Sequence, residues 1–529
     1  MKKNILFPLG MLLLAMPMKA QDIYKMETMS TNDLNGTARY VGMGGAMNAL
    51  GADLSTMGVN PAGIGMYRRS DIALTGSLTS QPNAHDFYDI GKTRGSFDQM
   101  GFVYAAKIGD EVKFVNFGFN YHKRRNMKNF IGINNFATGG LSQSLQMLDL
   151  AYVNDGWLDL TSDKDRELTT PLTCLGFDTQ MIAPVYDAEG KLEGYVPSEA
   201  QSYSYQRAQW GGIQEYDINV SLNWNDQVYG GITFGVHNVD MHTGTFYSEQ
   251  LIDPNGPQLH EYYMTNEEAL TGSGYDVKLG MILRPIEESP FRIGFAVHTP
   301  TFYDLKANSY LYMNSPYRSE HADYSEADVN VVGNEYKIRT PWKINLSMAT
   351  TIGNYLALDA EYEYCDLASA KVSYFDDDYG YSEGIGGWIN SSKDRALNNE
   401  AKRFLNSVST FKIGAEARLS KNVSARIGYN FVSAPVKEEA FLNLFTPSSS
   451  YYYNTNTDYV NLGEINRVTF GLGYKTKHFY ADLAYLYQAQ QGDVYTFHIP
   501  GDDSERNRLQ GAKVDLNRHN VMLTLGYKF

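Results

Sequence analysis

The clearest pattern in the chain is a two-residue alternation of apolar positions with small, polar or charged ones. It is strongest at the C-terminal end, where one set of alternate positions is apolar: Val521, Leu523, Leu525, Tyr527 and Phe529. The residues between them include Thr524, Gly526 and Lys528. Successive side chains of a β-strand point to opposite faces. The stretch therefore predicts a strand with one apolar face.

Further stretches repeat this pattern, at 216–224, 291–298, 423–431 and 468–475. In each of them the second face carries small or charged residues. Segments of this kind are typical of a membrane β-barrel, in which alternate side chains meet lipid and lumen. A soluble β-sandwich also alternates, so the connections between the strands have to decide between the two folds.

Fourteen strands are predicted from the pattern. They lie near residues 70–80, 99–108, 112–122, 213–225, 228–240, 273–284, 291–300, 337–351, 355–366, 408–419, 423–433, 464–475, 478–489 and 518–529. Short turns alternate strictly with long connections, which cover 81–98, 123–212, 241–272, 301–336, 367–407, 434–463 and 490–517. Antiparallel strands place successive connections at opposite ends, so all short turns lie at one end. This asymmetry is typical of outer-membrane barrels. The predicted fold class is all-β, a transmembrane antiparallel barrel of about 14 strands over 70–529 with long external loops.

The N-terminal part divides into two segments. Lys2 and Lys3 precede an apolar stretch that is shorter than a membrane-spanning helix, so residues 1–20 are predicted to be a signal peptide. Residues 21–69 do not alternate and are rich in Gly, Ala and Met, which suit close packing. We expect this segment to fold into the lumen as a hatch, because an empty barrel of this circumference would leak.

Composition narrows the functional classes. The chain has 45 Lys+Arg against 60 Asp+Glu, a formal net charge of -15 and no basic block, which argues against nucleic-acid binding. Its 2 cysteines, Cys174 and Cys365, lie far apart in dissimilar contexts, so no disulfide scaffold is predicted. The Gly-rich run Gly42–Gly45 has no P-loop lysine and predicts no nucleotide site.

Motifs of the hatch and wall resemble a known family. In the hatch, a Gly/Ala-rich stretch and an Asp-containing segment lead into Asn60-Pro61-Ala62-Gly63. In the predicted wall, His298-Thr299-Pro300 ends one strand and Gly428-Tyr429-Asn430 lies in another. With these features the chain resembles the FadL/TodX outer-membrane transporters of long-chain fatty acids and other hydrophobic compounds, over nearly its whole mature length. The resemblance implies a fourteen-stranded barrel with an N-terminal hatch.

The resemblance also implies passive uptake. A hydrophobic ligand would be captured by external loops, reach a pocket between barrel and hatch, and leave sideways through a wall opening at a kinked strand. Such a path keeps the ligand out of water, which is worth about 0.8 kcal/mol per CH₂. We expect a non-enzymatic, monomeric, multi-pass protein of the outer membrane of a Gram-negative bacterium, without cofactor or metal, whose partners are its ligand and membrane lipid.

Candidate site residues follow from the motif and from parity, that is, from whether a residue shares its face of the strand with the inward or the outward positions. Asn60, Pro61, Ala62 and Gly63 are assigned to the hatch and its gating. Gly118 is a candidate for the wall kink, because glycine weakens a strand, although an ordinary barrel glycine is the alternative. The cationic side chains that point inward by parity, and could meet a ligand head group, are Arg292, His298, Lys412, Arg418 and Arg426. The alternative for them is a lumenal ion-pair network with inward carboxylates.

Other functions stay open at this point. The same scaffold could serve protein interaction, as a secretion shuttle whose long loops grip protein cargo. The 10 histidines allow haem binding, although they show no paired spacing. A barrel enzyme such as a lipase has no convincing Ser/His/Asn placement, so enzymatic activity is not predicted.

Overall fold

The structure is a computed structural model that describes residues 23–82, 87, 91–153, 155–253, 258–317, 325–375, 391–442, 455–498 and 509–529. The predicted signal peptide lies outside them. Most of the described chain forms one closed antiparallel β-barrel of fourteen wall strands. This confirms the predicted fold class.

The strands of the barrel wall and of the long connections outside the membrane, which we call the external part, have the following bounds. They are β1 (Asp71–Ser80), β2 (Thr93–Lys107), β3 (Val112–Asn126), β4 (Asn129–Gly140), β5 (Tyr152–Val153), β6 (Gly156–Trp157), β7 (Ile182–Tyr186), β8 (Leu192–Pro197), β9 (Ala200–Trp224), β10 (Val228–Ile252), β11 (Leu259–Leu283), β12 (Arg292–His298), β13 (Phe302–Ser315), β14 (Ser325–Arg339), β15 (Lys343–Ile352), β16 (Leu356–Asp366), β17 (Lys371–Phe375), β18 (Ser391–Lys393), β19 (Ser407–Arg418), β20 (Val423–Val432), β21 (Tyr459–Lys475), β22 (Phe479–Tyr495), β23 (Ala512–Asp515) and β24 (Arg518–Lys528).

The helices are short and lie in the hatch and in the external part. They are α1 (Ile23–Ser30), α2 (Ala38–Gly42), α3 (Gln143–Leu150), α4 (Asp163–Arg166), α5 (Pro171–Asp178) and α6 (Arg395–Phe404), with 3₁₀ turns at Leu54–Gly58, Pro61–Met66 and Leu367–Ser369. Among the described residues, no helix is both long and apolar enough to cross a membrane.

The ring closes because β1 pairs with strands on both of its sides. Its residues face β2 from Asp71↔Val103 to Ser80↔Thr93, and face the last strand, β24, from Asp71↔Lys528 to Ser80↔His519. Each wall strand pairs with its neighbour in the chain, and some wall positions are continued outward by a second strand, such as β12 by β13. A closed ring leaves no unpaired sheet edge around most of the wall.

The predicted alternation describes the membrane part of the wall correctly. Outward apolar side chains are about half exposed, as Leu74 at 49%, Ile218 at 57%, Phe470 at 50% and Leu523 at 46% show. Their inward neighbours are polar or small and buried. This surface satisfies the requirement of a barrel in hydrocarbon, which is an apolar outer band.

The long external connections contain more strand than predicted. The connection 241–272 is largely made of β10 and β11, which pair from Val228↔Leu283 to Ile252↔Leu259. Beyond the membrane band the alternation inverts, because the outward Asp240 is exposed and polar while the inward Val239 and Met241 are buried and apolar. Because the apolar residues change face, the predicted strands end at the membrane boundary, whereas β10 and β11 continue beyond it.

Part of the predicted connection 123–212 folds into a cap over the outer end of the barrel. It contains α3, α5 and the hairpin of β7 and β8, which pack around buried apolar residues such as Met147 and Leu175. Glu249 of β10 fixes the start of α3, since its carboxylate accepts hydrogen bonds from Gln143 N at 2.7 Å and Ser142 Oγ at 2.7 Å. Burial raises the pKa of Glu249.

Candidate functional site

The N-terminal segment lies inside the barrel, as predicted for a hatch. Methionine and small side chains of α1 and of the irregular segment after α2 lie in the interior, with Met26, Met29, Met43, Met47 and Ala46 at 0% exposure. Unbranched methionines fill the irregular spaces between short helical turns. The hatch (residues 23–69) thereby fills much of the lumen.

The Asn60-Pro61-Ala62-Gly63 motif lies at the centre of the hatch. The Asn60 side chain accepts a hydrogen bond from Ala62 N at 3.2 Å and donates one to Asn48 O at 2.9 Å. Pro61 follows as the first residue of the 3₁₀ turn, where its missing N–H leaves no orphan donor. Its carbonyl accepts from Ser221 Oγ of the wall at 2.7 Å. The motif thus caps a turn and ties it to β9; a part in gating stays a prediction.

Two wall carboxylates hold a second segment of the hatch. Glu361 Oε1 of β16 accepts from the backbone N–H of Met47 at 2.7 Å and of Asn48 at 2.6 Å. Asp359 Oδ2 accepts from Ala49 N at 3.1 Å and from Leu50 N at 2.9 Å. These N–H groups have no strand or helix partner, so the carboxylates supply the acceptors that buried donors need.

We expect the double substitution Asp359→Asn and Glu361→Gln to loosen residues 47–50 without opening the wall. Neutral acceptors stabilise a hydrogen bond by about 1 kcal/mol, against about 1.5–3 kcal/mol for charged ones. Hydrogen–deuterium exchange of the peptide covering residues 47–50 should speed up by about tenfold or more. The matched control is Glu261→Gln with Glu267→Gln, which removes the same charge from exposed positions. Equal exchange in both variants would show that the carboxylates do not hold the hatch.

Inward glycines of the wall make room for the hatch backbone. A Cβ at Gly231 would lie 2.5 Å from the Pro61 carbonyl carbon, and one at Gly280 would lie 2.9 Å from Pro61 N. A Cβ at Gly428 would overlap the backbone of residues 43 and 44. Side chains cannot be accommodated at these distances, so the hatch rests directly on the backbone of the wall.

The predicted head-group residues fall into three kinds of position. Arg426 is bound to Glu416 at 2.6 Å and Asp482 at 2.5 Å, and Glu416 in turn binds Arg39 of the hatch at 2.9 Å. Lys412 binds Glu361 at 3.2 Å. These ion pairs belong to the alternative given for these residues, a lumenal ion-pair network with inward carboxylates.

The other three predicted residues contact the hatch or the rim. Arg292 Nη1 donates to Leu50 O at 3.1 Å, and His298 Nε2 lies 2.7 Å from Val59 O. Arg418 is exposed at the end of β19. Of the five, Lys412 and His298 line a cavity between the hatch and the wall.

A buried charged cluster joins β9, β10 and β11. Lys278 Nζ lies 3.0 Å from both Asp217 and Asp276 and also binds Glu215. His122 and His237 border these carboxylates. Although the spacing of these groups would suit a metal ion, the ammonium group already supplies the cation that the carboxylates need. Among the described residues the cluster is therefore best explained as part of the wall's internal packing.

A cavity lies between the hatch and the wall. It encloses about 1470 Å³, including the space that opens to solvent. One part of its lining is apolar, with Met127, Val432, Leu462, Ile465 and Leu516. The remaining lining is mostly polar and includes seven lysines and arginines. We call this space the hatch cavity.

A second cavity lies beside the hatch cavity, toward the long connections. It encloses about 930 Å³ and is lined by α1 and by the outer portions of β9, β10 and β11. The two cavities share Glu27, Arg125, Met127, Asn129, Leu462 and Leu516. The shared lining shows that the two cavities adjoin each other.

The wall is not continuously paired beside the hatch cavity. β2 and β3 pair from Lys107↔Phe114 only as far as Gln99↔His122, so the edge of β2 at 93–98 has no backbone partner in β3. Side chains bridge the space instead. Lys123 Nζ donates to Ser96 Oγ at 3.0 Å, and Lys128 Nζ donates to Arg94 O at 3.2 Å and Gly95 O at 3.3 Å. We call this break, between 93–98 and 123–128, the wall seam.

Two bulges explain why the strands separate there. The β1–β2 register shifts between Thr75 and Gly76, which leaves Asp98 unpaired, and the β3–β9 register shifts between Lys123 and Arg125 around Arg124. A bulge bends its strand and increases the local twist. At Gly118 the pairing with Val103 and Asn219 is regular, and the glycine leaves space for Met57 of the hatch.

The barrel with its hatch has counterparts among solved structures. No family model and no curated protein matches the sequence. Among solved structures, the chain is similar to a FadL homologue of Pseudomonas aeruginosa, with 13% identity, a TM-score of 0.50, and coverage of 94% of this chain and 100% of that one. The chain has the FadL fold. The toluene transporter TodX of Pseudomonas putida matches with 12% identity and a TM-score of 0.47, over 94% and 99% of the two chains. The fold implied by the sequence resemblance is confirmed.

Several cavity residues were missed by the sequence analysis. Arg467 and Arg518 point into the hatch cavity, as does Lys343. Parity could have found them, since Arg467 is in phase with the inward Thr469, and Lys343 precedes the outward Ile344. These positions lie beyond the ends of the clearest apolar runs, where the alternation is weaker.

Proposed function

We propose that the protein is an outer-membrane channel for passive uptake of hydrophobic compounds with a polar end, such as long-chain fatty acids. The ligand enters the second cavity from the side of the long connections, moves into the hatch cavity, and leaves sideways through the wall seam after a hatch movement. The single observation that carries the proposal is the wall seam beside a cavity with both apolar and cationic lining.

The chemistry of the seam supports a lateral exit. In hydrocarbon an unpaired backbone edge is unfavourable, and irregular backbone at membrane depth is tolerated where it borders protein or water. The edge of β2 at the seam is covered by flexible lysine side chains, while the outward Phe97 beside it is 47% exposed. Opening the seam would break side-chain hydrogen bonds between β2 and β3 but no backbone ladder between them.

The experiment is uptake of a fluorescent long-chain fatty acid by cells that lack their own fatty-acid channel. Expression of the protein should raise the uptake rate well above that of cells carrying the empty vector. Correct insertion is checked by the heat-dependent mobility that a folded barrel shows on a gel. A folded, surface-exposed protein with uptake equal to the vector would contradict the proposal.

A further inference from the structure

Five neighbouring strands present a row of cationic and amide side chains to the hatch cavity. Lys412 of β19 faces Asn430 of β20, which faces Arg467 of β21. Arg467 faces Gln488 of β22, which faces Arg518 of β24. All five side chains line the hatch cavity. The two arginines stand two strands apart, about 10 Å between strand axes.

Neither arginine is neutralised by a direct ion pair with a described residue. Arg467 is 3% exposed and donates from Nε to Gln488 Oε1 at 2.9 Å and from Nη1 to Asn430 Oδ1 at 2.9 Å, both uncharged acceptors. Arg518 donates to Asn129 Oδ1, and its buried Nε has no partner. Lys412, by contrast, is paired with Glu361.

A third cation lies two strands beyond Lys412, at the other end of this row. Lys343 of β15 is 6% exposed and lines the same cavity. Within the described part of the chain, its Nζ has no hydrogen-bond or ion-pair partner. Asp33 of the hatch is the carboxylate that interacts electrostatically with both arginines. Its Oδ2 already accepts a hydrogen bond from Asn126 N at 2.8 Å.

Such an arrangement is unexpected in this chain. Acidic residues outnumber basic ones by 60 to 45. Yet seven lysines and arginines line the hatch cavity against three carboxylates. Arg124, Arg125 and Lys412 are already paired, with Asp276, Glu27 and Glu361. The other four cations, Lys123, Lys343, Arg467 and Arg518, form no ion pair with a described residue, and only Asp33 and Glu363 remain as lining carboxylates beside them. A buried charge without a partner is strongly unfavourable. A local imbalance of this kind is expected where a ligand supplies the missing charge.

We infer that the hatch cavity binds the head group of an amphiphile that carries a doubly charged anion, of which an alkyl phosphate is the simplest example. Arg467 and Arg518 bind the anion and Lys343 adds positive charge to the same cavity, while the tail lies along the apolar lining of Leu462 and Leu516. A phosphate monoester has three acceptor oxygens and a charge of about −2, and guanidinium groups bind it with paired hydrogen bonds. A single carboxylate would leave part of the positive charge unmatched. The inference rests on the proposed channel function.

The test is a titration of the full-length protein in a non-ionic detergent at pH 8 with decyl phosphate, decanoate, decanol and methyl phosphate. Decyl phosphate should bind at least about tenfold more tightly than decanoate. In Arg467→Gln with Arg518→Gln its affinity should fall at least about tenfold, while decanol binding stays the same. The control, Arg166→Gln with Lys306→Gln, removes the same charge outside the cavity and should change nothing.

The outcomes separate the inference from the proposed function. Equal affinities for decyl phosphate and decanoate in the unmodified protein would overturn the inference but leave the channel proposal standing, and this comparison does not depend on a variant that folds. Unchanged phosphate binding in the arginine variant would also overturn it. Binding of methyl phosphate without any decyl compound would support the anion site and contradict an amphiphile channel. No binding at all would overturn both.

Discussion

Deletion of residues 23–66 is expected to convert the closed barrel into an ion-conducting pore. The ring closes through β1 with β2 and β24, so the wall does not depend on the hatch for its backbone pairing. Its inner face is polar and would fill with water, as in porins of similar size. In planar bilayers the deletion variant should show stepwise conductance of the porin type where the full-length protein shows none. A correctly folded deletion variant without conductance would contradict the role of the hatch as a plug.

Two adjacent glycines provide a milder variant and its control. Gly231 faces the lumen, and a side chain there would overlap Pro61 of the hatch. Gly230 faces the opposite way, and a Cβ there would meet nothing closer than Leu222 Cγ at 3.9 Å. Gly231→Leu should therefore displace the hatch and give intermittent conductance, while Gly230→Leu should stay closed. Equal behaviour of the two variants would mean that contact with the wall does not fix the hatch.

The barrel could be predicted because lipid imposes a strict pattern on the wall. Outward residues such as Ile218 and Leu523 must be apolar at every second position, and the short turns mark where strands reverse. Outside the membrane this constraint ends, and the inner face of β10 becomes the apolar one at Val239 and Met241. The sequence pattern therefore predicts the number of wall strands better than their outer ends.

The site was less predictable, because it depends on contacts between distant segments. Gly, Ala and Met indicated close packing of the hatch, but nothing in the sequence shows that Asp359 and Glu361 accept hydrogen bonds from residues 47–50. Parity predicts that Lys412 and Arg426 point inward. Whether they can bind a ligand depends on their ion-pair partners, Glu361 for Lys412 and Glu416 with Asp482 for Arg426, which parity does not show. The bulges occur at Asp98 and Arg124, whose residue types do not mark a bulge, whereas Gly118 lies in a regular ladder.

Joining the two sides of the wall seam should stop uptake while leaving the cavity intact. In a background with Cys174→Ala and Cys365→Ala, we consider Ser96→Cys with Asn126→Cys, whose native side chains are hydrogen-bonded across the seam at 3.3 Å. A short, reducible bifunctional thiol reagent would link β2 to β3. Uptake of the fluorescent fatty acid should fall to the vector level and return after reduction, because the ligand cannot pass a closed wall.

The matched control places the same cross-link where the wall is already paired. Ser80 and Thr93 face each other across β1 and β2, with their hydroxyl oxygens 2.9 Å apart. Linking Ser80→Cys to Thr93→Cys restrains a ladder that is not expected to move, so uptake should be unchanged. If mass spectrometry shows complete linkage at the seam and uptake continues, the ligand leaves by another path. Loss of uptake in both variants would instead indicate that any restraint of β2 blocks transport, and the exit would then depend on movement of the whole strand rather than on the seam itself.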